Sequence, residues 1–275
     1  MTEPKGYSRS AIAGSGAIAC GLAASITAIG PVRVLARSDT SAWKAEERIE
    51  EMCERVPGGD AGRARVTREI GDLSDCDLVV EAVIEEHKAK TAQLAALAEA
   101  CPDSDFATTT SSLGIASLAE DTGVTTRLFG LHVFNPVTRM ELVELCLPHG
   151  LRPGIHERAR AFCAALGKRS VEVPDRAGFV VNRLLFPYLF DAVRTLDDAE
   201  MKPTEVDTCM TLGAGHPMGP LKLLDFIGID VAVAIGRELY EASGSDLHRP
   251  PKLLERMLAA GKLGCKSGSG FYDYD

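Results

Sequence analysis

The chain has 275 residues, 45% hydrophobic and 25% charged. This builds one large or two modest globular domains and excludes wholesale disorder. The net charge of −9 argues against general nucleic-acid binding, which needs a surplus of Lys and Arg against phosphate. The eight cysteines form no CxxC pair and the six histidines no HxxxH or HExxH spacing, so neither a metal site nor a disulfide framework is expected. Scattered cysteines, a polar start (MTEPKGYSRS) and no apolar run of about 18 residues point to a cytoplasmic protein without a membrane partner.

Ser10–Ala13 reads as a short apolar strand that Gly14-Ser15-Gly16 interrupts. Residues 17–29, rich in Ala, Leu and Ile and free of Pro, read as a helix stopped by Gly30-Pro31. Residues 32–36 form a second strand, which completes a strand–turn–helix–strand unit. Helices are then expected at 43–55, 88–100 and 156–166, and strands at 78–83, 106–109, 128–134, 141–146 and 170–173. Such alternation predicts a doubly wound α/β domain of Rossmann type over residues 1–176, its sheet mostly parallel with helices on both faces. Beyond it the pattern turns helical, at 179–196, 204–212, 220–243 and 250–260, and the chain closes on a Gly-rich tail. Residues 177–275 are therefore expected to form a smaller all-α domain.

The run Gly14-Ser15-Gly16-Ala17-Ile18-Ala19 fits a dinucleotide fingerprint. Gly14 permits the tight turn, Gly16 lets a pyrophosphate approach the backbone, and the third position needs only a small residue for packing. The phosphates are expected on the first N–H groups of the following helix, at Ala17 and Ile18. At the end of the second strand, where an acidic residue would hold a ribose 2′-OH, stands Arg37, followed by Ser38. A guanidinium pairs with a 2′-phosphate that a carboxylate would repel, which favours NADP over NAD. The alternative has Arg37 stacked on the adenine, or Asp39 on the ribose, with NAD as the cofactor.

His132 ends one expected strand and Glu144 lies in the next. A dehydrogenase needs a base for the alcohol proton, and an imidazole titrates in the right range. A carboxylate on its far nitrogen fixes the tautomer. By itself a histidine at a strand end is as easily structural.

Several motifs together resemble the short 3-hydroxyacyl-CoA dehydrogenase family, including the 3-hydroxybutyryl-CoA dehydrogenases. They are GSGAIACGLA, LVVEAVIEEHKAK, TTTSSL, GLHVFNPVTRMELVEL, DRAGFVVNRLL, GHPMGPLKLLDFIGID and GKLGCKSGSGFYDYD, and they run nearly the whole chain. The resemblance implies that His132 is the catalytic base, Glu144 its orienting partner, and Ser111 and Asn182 hydrogen-bond donors to the substrate oxygen. It also implies that Asn135 lies near the substrate, and that Glu81, Ala82, Val83, Glu85, Lys90 and Thr109 belong to the cofactor site. It further implies L-stereospecificity, short acyl-CoA substrates and a homodimer formed through the helical domain.

The chain departs from the family pattern at Ala19 and Arg37, and at Thr109, where the family has Asn. The segment 41–68 is also shorter than the Lys-rich helical hairpin with which the family contacts CoA. Lys44, Arg48, Arg63, Arg65 and Arg68 remain as candidate phosphate partners, or as an ordinary solvated face. Two alternatives follow: the same chemistry on an acyl-carrier-protein thioester, or on a free hydroxy or sugar acid, as in gulonate 3-dehydrogenases. Since some crystallins share this fold, a non-catalytic structural role is the third.

Overall fold

The computed structural model of the chain describes residues 6–274, which divide after Arg176 into two compact units. The first unit opens with β1 (Ser10–Ala13), α1 (Ala17–Thr27), β2 (Val32–Leu35), α2 (Asp39–Cys53) and β3 (Ala64–Thr67). It continues with β4 (Leu78–Glu81), α3 (His87–Ala100), β5 (Asp105–Thr108) and α4 (Ile115–Thr122). It closes with β6 (Leu128–Val133), β7 (Leu142–Cys146), α5 (Ile155–Ala165) and β8 (Arg169–Glu172).

The strands form one sheet in the order β3-β2-β1-β4-β5-β6-β7-β8. All neighbours are parallel except β6 and β7, which run antiparallel. The chain builds outward from β1 through β2 to β3, then returns to β4 and builds the other way. Because such crossovers are right-handed, this reversal sends α1 and α2 to one face and α3 and α4 to the other. In keeping with that, α1 packs on α2 and α3 on α4. The central strands are covered on both faces, so β1 and β4 are buried along their whole length, as the apolar runs Ala11–Ala13 and Leu78–Val80 require. Ile12, Leu22, Ile26, Val34, Val80 and Phe129 lie at the centre of the core.

Two elements escape the sequence reading, each for a physical reason. β3 is an edge strand of four residues, Ala-Arg-Val-Thr, with no buried side chain, so it carries almost no hydrophobic signal. α4 has only eight residues and follows a Thr/Ser/Gly-rich loop. It is started from outside, by Asp175, whose carboxylate accepts the Ile115 and Ala116 N–H groups at 3.0 and 2.8 Å.

The second unit holds α6 (Val181–Asp198), α7 (Pro203–Thr208), α8 (Pro220–Ile227), α9 (Ile229–Ser243) and α10 (Lys252–Ala259). Sequence periodicity runs α8 and α9 together, but Gly228 at φ +103° separates them. α6 starts two residues later than its apolar pattern suggests, because Gly178 and Phe179 sit at φ +74° and +44°. Phe186, Phe190, Leu221, Val233 and Leu254 form the core. The Gly-rich tail is part of this unit. Buried Asp225 accepts the N–H groups of Phe271 and Tyr272 at 2.9 Å each and the Tyr274 hydroxyl at 3.0 Å. Asp207 accepts the Tyr272 hydroxyl at 2.7 Å and the Leu221 N–H at 2.8 Å. Among the described residues no helix is long and apolar enough to cross a membrane.

Candidate nucleotide cradle and active site

The sheet order reverses between β1 and β4, and a doubly wound sheet opens its ligand crevice at such a point. Gly14 ends β1 there at φ +142°, and a Cβ on it would meet the Ala82 carbonyl oxygen at 2.2 Å. Only glycine fits. Gly16 differs. It caps α1, and a Cβ on it would meet nothing within 4 Å. What a side chain at Gly16 would obstruct is thus the open space before α1, as a pyrophosphate approach requires. No side chain caps the helix, so the first N–H groups, including those of Ala17 and Ile18, are available to an anion. Ala19, in the third fingerprint position, is fully buried. These residues fit a dinucleotide.

At the end of β2, Arg37 is exposed and pairs with no described residue. Ser38 is the N-cap of α2: its hydroxyl accepts the Ser41 N–H at 3.2 Å, and the Ser41 hydroxyl accepts the Ser38 N–H at 3.0 Å. Asp39 forms an ion pair with Arg68 at 2.8 Å. The nearby Arg63 and Arg65 also face carboxylates, Asp60 at 3.3 Å and Asp72 at 3.4 Å. α2 carries five acidic residues against Lys44 and Arg48, and residues 54–63 lead from it to β3 with a single 3-10 turn at Ala61–Arg63 and no second α-helix.

The ends of β4 and β5 hold a buried polar network. Lys90, fully buried, donates to both Glu81 oxygens at 3.0 and 3.1 Å and lies 3.2 Å from Glu85. Glu81 also accepts the Val83 N–H at 2.7 Å and the Thr108 hydroxyl at 2.6 Å. Glu85 Oε1 gathers the next loop. It accepts the Thr110 hydroxyl at 2.6 Å, the Ser111 N–H at 2.7 Å and the Ser112 hydroxyl at 2.9 Å. Burial alone would raise the Glu85 carboxyl, but Lys90 and these donors outweigh it and hold it below the ordinary carboxylate value. The Ser111 hydroxyl lies 3.3 Å from the same oxygen. Ala82 supplies the carbonyl over Gly14, and Thr109 is half-buried with its N–H on the Glu81 carbonyl at 3.0 Å. Glu81 and Lys90 are wholly buried, so their side chains face each other rather than solvent.

His132 and Glu144 are paired directly across the antiparallel β6–β7 ladder. Their side chains leave the same face, and Nδ1 lies 2.7 Å from Glu144 Oε2. Both are buried. With Glu144 accepting the Nδ1 proton, the ring lone pair is on Nε2. The Phe134 ring stands 4.5 Å from the imidazole, centroid to centroid. Asn135, exposed, begins the turn after β6. In the second unit, Asn182 is buried in the first turn of α6.

The structure thus gathers Ser111 with Glu81, Glu85 and Lys90, and His132 with Glu144. Thr108, Thr110 and Ser112 were not singled out from sequence. The hydroxyl-rich run TTTSS is their one signal, because their carboxylate partners, Glu81 for Thr108 and Glu85 for the other two, lie 25–27 positions away. Among the described residues no group of three or more His, Cys, Asp or Glu side chains gathers to hold a metal ion.

Residues 9–176 match the NAD binding domain of 3-hydroxyacyl-CoA dehydrogenase and residues 178–274 its C-terminal domain. A 3-hydroxybutyryl-CoA dehydrogenase of Mycobacterium tuberculosis is 40% identical over 226 residues, 81% of this chain and 79% of that one. The human mitochondrial hydroxyacyl-coenzyme A dehydrogenase is 36% identical over 282 residues, 96% of this chain and 90% of that one. The crystal structure of (S)-3-hydroxybutyryl-CoA dehydrogenase from Ralstonia eutropha superposes with a TM-score of 0.90 at 32% identity, covering 98% of this chain and 99% of the other.

Proposed function

The chain belongs to the 3-hydroxyacyl-CoA dehydrogenase family, and we propose that it interconverts a short-chain L-3-hydroxyacyl-CoA and the 3-oxoacyl-CoA. The observation that carries this reading is the buried His132–Glu144 pair, in cross-strand register on a nucleotide-binding sheet. The nicotinamide, when bound, supplies the acceptor or donor of the C3 hydride. In oxidation, His132 Nε2 takes the proton of the C3 hydroxyl. Glu144 stabilises the resulting imidazolium through Nδ1. In reduction, the imidazolium returns that proton to the oxygen as negative charge grows on it. Ser111 donates a hydrogen bond to the same oxygen once its hydroxyl turns from Glu85 Oε1, on a loop that Glu85 still holds through backbone N–H groups. Asn182 keeps the role the family resemblance gives it, a further donor to that oxygen.

Gly14, Gly16, Ala17 and Ile18 hold the pyrophosphate, and Arg37 favours NADP over NAD. Ala82, Val83, Glu85 and Thr109 form the nicotinamide end of the cradle, with Glu81 and Lys90 setting Glu85 in place. A homodimer through the second unit, as the family resemblance implies, would have the exposed side chains of Leu184, Phe226 and Leu247 to cover.

The test follows reduced-nicotinamide absorbance with acetoacetyl-CoA, using NADPH and NADH in parallel. Rapid oxidation is expected, faster with NADPH at limiting cofactor. Tight NADPH binding without turnover would reject this substrate. A second reading has a specific observation behind it: the one α-helix between β2 and β3 is net acidic and offers little to the phosphates of CoA. It assigns the same chemistry to a carrier-protein thioester or a free hydroxy acid. An undiminished kcat/KM on the pantetheine thioester or the free acid would favour it.

A further inference from the structure

We infer that Arg68, at the end of β3, is the second guanidinium of the 2′-phosphate site and sets cofactor choice by holding Asp39. This rests on the NADP reading above. β2 and β3 are parallel with Leu35 beside Thr67, and the Ala36 N–H donates to the Thr67 carbonyl at 2.9 Å. Arg68, the first residue after β3, is thus level with Ala36, and Arg37 is the next residue along, so both arginines follow the same end of the sheet.

Between residues 36 and 45 the only carboxylate is Asp39. It is the one side chain there able to claim a ribose 2′-OH in the manner of an NAD enzyme. Its partner is Arg68 Nε at 2.8 Å. Ser38, the other polar candidate, has its hydroxyl committed to the cap of α2. The edge thus presents two guanidinium groups, one of them unpaired, and one carboxylate that is already neutralised.

The pair is rim-exposed, Arg68 at 51% and Asp39 at 86% of the side chain. It is consequently weak and opens readily. Asp39 takes only Nε of Arg68, which leaves the Nη groups for the three acceptor oxygens of a phosphate. Arg68 serves twice. Before binding it keeps Asp39 from repelling the phosphate, and on binding it joins Arg37 around it. Sequence alone does not show this, because only the β2–β3 register sets Arg68 level with Ala36, one residue from Arg37.

The experiment measures dissociation constants of NADPH, NADH and 2′,5′-ADP by fluorescence titration and isothermal calorimetry, with no acyl substrate present. Arg68→Met is expected to weaken NADPH and 2′,5′-ADP roughly tenfold while leaving NADH within about twofold. Asp39→Asn, which frees Arg68, is expected to tighten NADPH and leave NADH unchanged. Both positions are exposed, and circular dichroism checks the fold. An NADPH affinity that survives Arg68→Met, or an equal loss for both cofactors, overturns the assignment. So does a loss of NADH affinity in Asp39→Asn, since Asp39 then holds the ribose. Arg37→Met separates the two levels. If it weakens NADPH while Arg68→Met does not, the NADP reading stands and only Arg68 is rejected. A wild-type protein that prefers NADH rejects both.

Discussion

The polar groups at the β4–β7 end of the sheet and those at the β2–β3 edge are built on opposite terms. At the first, Glu81, Lys90, His132 and Glu144 are all buried, and their carboxylates take two or more protein donors or a histidine. At the second, Arg37, Asp39 and Arg68 are exposed, and one two-membered ion pair is all that links them. Chemistry that depends on sub-ångström placement is put where a lost partner is costly. Selection between two cofactors differing by one phosphate is left where a substitution disturbs little else. The contrast predicts large, structural consequences at the first region and small, separable ones at the second.

The largest effect is expected from His132→Gln. Losing the general base should lower kcat by about a thousandfold or more, with the NADPH dissociation constant unchanged. An active variant would break the mechanism. Next comes Lys90→Met. It leaves Glu81 buried and Glu85 half-buried without their shared cation, and a broken buried pair costs about 3–5 kcal/mol. Urea unfolding reads this directly, and a loss below about 1 kcal/mol would show that the hydroxyl and amide donors suffice alone.

A smaller effect is expected from pH. The folded-state pKa of Glu85 lies below its ordinary value of 4.5, so the unfolded chain binds the proton more readily. The stabilisation is complete above that ordinary value and is lost as pH falls through the lower folded one. Glu85→Gln should therefore flatten the acid side of the stability curve, and an unchanged acid slope would contradict the network. The smallest change is Arg37→Asp. It should shift the NADPH-to-NADH affinity ratio toward NADH by about tenfold, with stability altered by no more than about 0.5 kcal/mol. A comparable loss of stability would erase the distinction between the two regions.

What could be read beforehand follows the range of the interactions. The Gly14–Gly16 turn is local, so its residues announce it. His132 and Glu144 are twelve positions apart, on strands that the sequence pattern already marks, and the antiparallel turn between them is short. Glu85 as the organiser of residues 110–112 could not be read, because a parallel crossover and a whole helix intervene. Edge strand β3 could not be read either, as a strand without a buried side chain leaves no periodicity. Asp207 and Asp225 look like ordinary helix-surface acids in the sequence. Their role in fastening the tail appears only when the tail folds back onto α8.

The one antiparallel pair in the sheet has a consequence for how this enzyme tolerates change. His132 and Glu144 face each other because β6 and β7 are in register at that rung. Insertions at the exposed tip of the connecting turn, around Arg139 and Met140, leave that rung intact and should be accepted, as length variation in surface loops usually is, whereas Val137 earlier in the turn is buried in the core. One residue added inside β7 would instead rotate Glu144 to the opposite side of the sheet, deleting the dyad without altering a single amino acid in it.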